Sequence, residues 1–155
     1  MIVLPETARA LVETEFAAVE PWGRARGWVT TWRPETLHLE VRMRSGIDAE
    51  EYVFGFDLSD YRALPPLIEL AHPKTGELGT RRCYPKGGRG YFHEQPVLCA
   101  PWSRRAYAAH GGPHADWEMT AWATNRPNHS RLGDILVLLQ DLLDDRTSYG
   151  GRMAP

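Results

Sequence analysis

A chain of 155 residues is the size of one domain and is long enough to bury a real core. With 43% hydrophobic and 25% charged residues it has an ordinary globular composition, and no apolar run approaches the roughly 20 residues of a membrane span. The opening MIVLPETARALVETE turns acidic too early for a signal peptide, so a cytoplasmic protein without a membrane partner is expected. Two cysteines are too few for a disulfide framework and are expected as free thiols. Six Trp and 12 Pro suggest a compact fold with long, well-packed loops.

Pro5 to Glu20 reads as a helix: Ala8, Leu11, Val12, Phe16 and Val19 recur near helical spacing, Pro5 suits the first turn, and Pro21 and Gly23 are expected to end it. GWVTTW, from Gly27, is rich in aromatic and β-branched residues and reads as a strand. LHLEVRM alternates, with Leu37, Leu39, Val41 and Met43 on one face and His38, Glu40 and Arg42 on the other. One buried face and one wet face is the pattern of an antiparallel sheet. RPET and SGIDAE are the turns on either side. Tyr52, Phe54 and Phe56 mark a third strand, and LIELA, after DYRALPP, a short fourth.

From His72 to Asn128 the periodicity disappears, and an irregular stretch of that length inside a compact domain is usually functional. It is also where the positive charge lies. Between residues 81 and 105 the cations Arg81, Arg82, Lys86, Arg89, Arg104 and Arg105 face Glu94 alone, a net +5, which leaves −7 for the rest of a chain of net −2. Such a field is expected to favour the thiolate of Cys99 and to attract acidic partners, although a charge run of this kind is often a solvated loop. Regularity returns at Ser130. Leu132, Ile135, Leu136, Leu138, Leu139, Leu142 and Leu143 mark an apolar helix to about Asp144, expected to cross the back of the sheet. The tail RTSYGGRMAP, within 145–155, is expected to fray. No internal repeat or domain boundary is evident. The expected class is α+β, with helices to one side of an antiparallel meander.

The order helix, four-stranded meander, DYRALPP, cysteine loop and apolar helix resembles the ubiquitin-conjugating enzyme family, in particular its divergent bacterial members. Asp60, Tyr61, Pro65 and Pro66 match the family's segment before the fourth strand. VLCAPW is similar to its catalytic strand, Trp117 or Trp122 to the tryptophan that follows, and ILVLLQDLL to its central helix, ending at Leu142 and Leu143. The resemblance covers roughly residues 5–145 and implies a single UBC-like domain. It implies that Cys99 is the nucleophile, carrying the acyl group of a ubiquitin-like modifier received from an activating (adenylating) enzyme and passing it to an amine of a target protein. The activating enzyme would spend the ATP, so no cofactor is implied. Bacterial relatives often serve antiphage defence. Arg81, Arg82, Arg104 and Arg105 are candidate contacts for the modifier or activating enzyme.

The chain departs from the family in places. The histidine-proline-asparagine triplet expected before the cysteine is absent from GYFHEQPVLC; Tyr91 stands eight residues before Cys99, where the asparagine would be, and His93 is the candidate to steady an oxyanion or act as a base. These departures motivate the rival reading, a non-catalytic binding module on the same fold. Cys83, in RRCYPKGG, is a spare thiol or an alternative nucleophile. Asp144 and Asp145 are either a solvated helix end or the family's acid near the incoming lysine.

Other chemistries find less support. His110 and His114, with Cys83, Cys99 and His129, could surround zinc, but HGGPH does not read as helical and no cysteine pair has finger spacing. KGGRGYF lacks the lysine-serine/threonine ending of a phosphate loop, and there is no GxSxG elbow. The basic segment with Tyr84, Tyr91 and Trp102 argues only weakly for nucleic acid in a net acidic chain.

Overall fold

A computed structural model describes residues 3–109, 117–125 and 129–155. In chain order the main elements are helix α1 (Pro5–Ala25), strands β1 (Val29–Arg33), β2 (His38–Arg44), β3 (Glu51–Asp57) and β4 (Leu67–Ala71), then β5 (Pro85–Gly87). The short helices α2 (Ala106–Ala109) and α3 (Trp122–Asn125), the long helix α4 (Leu132–Asp144) and strand β6 (Tyr149–Arg152) follow. Strands β1 to β4 form one antiparallel meander in sequence order, and β5 and β6 a second, two-stranded sheet. The molecule is therefore α+β, with an N-terminal helix and a four-stranded antiparallel sheet.

The alternation in the sequence sets the register. Leu39 lies opposite Phe56, Val41 opposite Phe54 and Met43 opposite Tyr52; Phe54 and Phe56 in turn face Leu70 and Ile68. These side chains are buried on one face, whereas His38 and Glu40 keep partial exposure on the other. Leu37 is buried as well, at the end of the β1–β2 turn. Onto this face pack α1, through Ala8, Val12 and Val19, and α4, through Leu132, Ile135, Leu136, Leu139, Leu142 and Leu143. The helices approach closely at Gly133, where an added Cβ would stand 3.4 Å from the Glu15 carbonyl and 3.5 Å from Val19 Cβ.

Two expectations are corrected. First, α1 runs through Pro21 to Ala25 rather than stopping at Glu20. Proline removes one helical hydrogen bond, but the last turn is held from outside. The Trp28 ring lies over Gly23, so close that a Cβ there would fall 1.9 Å from it. Its amide donates to the Gly23 carbonyl (3.0 Å) and its indole N–H to Gln140 Oε1 on α4 (2.8 Å). Packing thus overrides local preference.

Second, the segment expected to fray is ordered through residues 149–152. Pro85 pairs with Arg152 and Gly87 with Tyr149, and Met153 is buried, its amide donating to the Tyr84 carbonyl at 2.9 Å. Tyr149 also reaches the first sheet: its hydroxyl lies 2.7 Å from that of Tyr52 and 2.9 Å from both carboxylate oxygens of Asp48. Burial, then the bond to Tyr149, pushes the Tyr52 phenol far above its usual range; burial is also the main cause that pushes Tyr149 up to about 12.

The irregular stretch after β4 is less featureless than its sequence. A single 3-10 turn, Arg81–Cys83, leads into β5, and isolated bridges join Gly87 to Phe92 and Phe92 to Leu98. A small β layer, completed by β6, therefore carries the Cys99 loop. Among the described residues no helix is long and apolar enough to cross a membrane.

Candidate functional site

Cys99 sits on a narrow hairpin. The Phe92–Leu98 bridge is framed by two backbone bonds, Cys99 N–H to Tyr91 O (2.8 Å) and His93 N–H to Val97 O (3.4 Å). Side chains alternate across such a pair, so Phe92 and Leu98 point into the core and are buried. Tyr91, His93 and Cys99 fall on the opposite face and are partly exposed, whereas Val97, beside the turn, is buried as well. Tyr91 is thus directly across from Cys99, and His93 lies two residues further along the Tyr91 strand. The Tyr91 ring stacks on Trp102, with centroids 5.8 Å apart at 28°.

Against the expectation of a favoured thiolate, partial burial pushes the Cys99 thiol pKa up, and among the described residues no cation acts to lower it. The arginines explain why, since their heads are committed elsewhere. Arg81 donates to the Glu94 carbonyl (2.8 Å), Arg82 pairs with Glu77, and Arg105 pairs with Glu69 (3.4 Å). Arg104 donates to the carbonyls of Pro65 (2.8 Å) and Ser59 (2.7 Å). They brace the loop against the sheet while leaving Arg82 and Arg105 more than a third exposed.

Cys83 is fully buried. Its thiol lies 3.3 Å from both the Glu77 carbonyl and the Thr80 hydroxyl. The same carbonyl accepts from the His72 amide (2.8 Å), and His72 Nδ1 receives the amides of Lys74 and Thr75, both at 3.2 Å. The turn leaving β4 is therefore built on a His-Pro pair, His72–Pro73.

The DYRALPP segment is a junction rather than a lone turn. Tyr61, fully buried as an aromatic anchor, donates its hydroxyl to Glu15 Oε1 at 2.5 Å. The Leu132 amide, at the start of α4, donates to Glu15 Oε1 (2.8 Å) and to the Tyr61 oxygen (2.9 Å). Burial, reinforced by the Glu15 carboxylate, pushes the Tyr61 phenol far up. Asp60 accepts the Val3 amide (3.0 Å), and Arg62 Nε donates to the Ser130 carbonyl (2.7 Å). Trp122 donates its indole N–H to the Arg62 carbonyl (3.1 Å), with its ring 6.1 Å from that of Tyr61. Trp117 lies against Tyr107 instead, at 5.9 Å.

Sequence reading missed Glu15, although a signal existed: an acid within the apolar stripe Ala8, Val12, Val19 has to find buried donors. Asp144 accepts the Gly46 amide (2.7 Å), closing the β2–β3 turn onto α4. Asp145 pairs with Arg89 (2.7 Å), whose guanidinium holds the carboxyl down at about 2. Both acids thus serve as internal ties. His110 and His114 lie outside the described residues; among those described, no cluster of three or more His, Cys, Asp or Glu is placed to hold a metal ion.

No protein-family model matches the chain, and no similar curated protein is found.

Proposed function

We propose that the chain is a ubiquitin-conjugating-like carrier that accepts the C-terminal acyl group of a ubiquitin-like modifier on Cys99. The observation that carries this reading is a partly exposed thiol on a braced loop, between a four-stranded meander and an apolar helix, in a molecule whose other thiol is buried. In loading, the Cys99 sulfur attacks the thioester carbonyl of the activating enzyme's adduct. A new C–S bond forms, the old one breaks, and the departing thiolate takes the Cys99 proton. In discharge, an amine of the target attacks, the amide forms, and Cys99 leaves as the thiolate and recovers a proton from the ammonium. Because burial raises the Cys99 pKa, a base or cation brought by the partner on docking would speed loading. The exposed faces of Arg82 and Arg105 are candidate contacts for that docking, with Arg81 and Arg104 setting the loop.

The test is loading with activating enzyme, ATP and modifier. Cys99→Ser should lose the thiol-sensitive adduct and trap a more durable oxyester, while Cys83→Ser, if it folds, loads normally. His93→Ala should load but discharge more slowly, by up to roughly 10²–10³ if His93 donates to the oxyanion. A reducible adduct that persists in Cys99→Ser and vanishes in Cys83→Ser would move the site to Cys83. The His72–Pro73 turn, bonded to the same Glu77 carbonyl as Cys83, favours that placement. A wild type that binds the modifier but forms no adduct would instead establish the binding-module reading, which the suppressed Cys99 thiolate favours.

A further inference from the structure

A groove of about 300 Å³ runs between α1 and the β1–β2 hairpin, away from both thiols' loops. Val12, Phe16, Trp32 and Leu39 form its apolar walls, and among the described residues its charged lining consists of Glu13 and Glu20. Phe16 and Trp32 are only partly buried against the core, so part of each ring faces the groove. The Trp32 indole N–H donates to Glu13 Oε2 at 2.9 Å, which fixes the ring as a wall and holds the carboxylate beside it. Glu20 pairs with Arg24, one turn on, at 3.2 Å, a guanidinium that is 70% exposed.

We propose that this groove binds a small organic ammonium ion, its alkyl or aryl body against Val12, Phe16, Trp32 and Leu39 and its charge beside Glu13, with Glu20 two helical turns further along the same wall. Among the described residues the lining carries two carboxylates, Glu20 partly offset by Arg24, so the groove repels an anion and favours a cation. The apolar walls cannot hydrate a hard metal ion, and two carboxylates fall short of an oxygen coordination shell. An organic ammonium ion meets both conditions, because its body gains from the ring faces and its charge from the carboxylate. The volume lies at the small end of ligand pockets. This site is independent of the carrier reading and stands or falls without it.

Amide and indole N–H NMR spectra of the whole chain test it, with n-hexylammonium and n-hexyltrimethylammonium as probes and hexanol and hexanoate as controls at neutral pH. Both cations should shift the Trp32 indole signal saturably, and hexanol should bind at least about 10-fold more weakly, the product of a cation–π and two carboxylate contributions. Trp32→Leu should weaken the cations about 2–5-fold. Glu13→Gln keeps the indole's acceptor while removing charge, and together with Glu20→Gln should cost about 2–5-fold per position. Arg24→Ala, which frees Glu20, should tighten binding. Equal affinity for hexanol, binding of hexanoate, or saturation without a response at Trp32 overturns the proposal. So does binding of a lysine-bearing peptide when the free cations fail, which would make the groove a protein interface.

Discussion

Tyr61→Phe removes one oxygen atom and should test how three distant elements are joined. That oxygen donates to Glu15 Oε1 at 2.5 Å and accepts from the Leu132 amide at 2.9 Å, and the same amide reaches Glu15 at 2.8 Å. The start of α4 has no side-chain cap of its own at Arg131, so the carboxylate of α1 satisfies a donor that the helix leaves unpaired and sits at its positive end. Losing a hydrogen bond to a charged group costs about 1.5–3 kcal/mol. In Tyr61→Phe the carboxylate keeps the Leu132 amide, so about 2 kcal/mol is expected. Glu15→Ala also strands the buried Tyr61 hydroxyl and removes charge from the helix end, for about 3–5 kcal/mol; Glu15→Gln should fall between. Because the two residues share an atom, the double variant should lose less than the sum by about 0.5–3 kcal/mol. Urea unfolding followed by far-ultraviolet circular dichroism gives these values, and a calorimetric scan should show Tyr61→Phe melting about 4–8 °C lower. A loss below about 0.5 kcal/mol for Tyr61→Phe, or additivity within about 0.3 kcal/mol, would refute the shared-atom junction.

Two other expectations follow from the same structure. Alkylation of Cys99 by iodoacetamide, read by mass spectrometry, should rise with pH through a midpoint above the ordinary thiol value of about 8.5, because burial raises its pKa. The same shift makes its contribution to stability full below the unfolded thiol's pKa and lost as pH climbs through the folded one. Cys83 should react only on unfolding, and a midpoint at or below the ordinary value for Cys99 would restore the basic-field expectation. Tyr149→Phe deletes the hydroxyl that meets both Tyr52 and Asp48; it should cost about 1–3 kcal/mol and hasten hydrogen exchange in residues 86–88 before β2 and β3. Unchanged exchange at those residues would show that β6 does not secure the loop.

The parts legible in the sequence are those where a period repeats. LHLEVRM, LIELA and the leucine-rich helix each carry enough turns or alternations to fix a face, and each lies within a residue or two of its expected place. The pairing of β5 with β6 was illegible, because three residues, PKG, have no period and their partner is more than 60 positions away. Pro21 misled for a related reason: the Trp28–Gly23 contact that carries α1 onward is tertiary. At the candidate site the order of motifs pointed to Cys99, but a count of cations says nothing about where guanidinium heads end. Arg104 reaches back to Ser59 and Pro65, and Arg105 to Glu69, leaving the thiol to the influence of burial.

The joining of Pro85 to Arg152 also sets an order in time. On a ribosome, the meander can close once residue 71 has emerged, and its contacts are between neighbours in sequence. The layer that carries Cys99 cannot close until residues 149–152 exist. At typical elongation speeds the 53 residues from Ala100 through Arg152 take roughly 3–10 s to add. During that interval the nascent thiol lacks the burial that later restrains it, and is as open to oxidants and electrophiles as any cysteine on an unfolded chain. Maturation of the protein thus includes closing the layer around its own thiol, a step that waits on β6 joining β5.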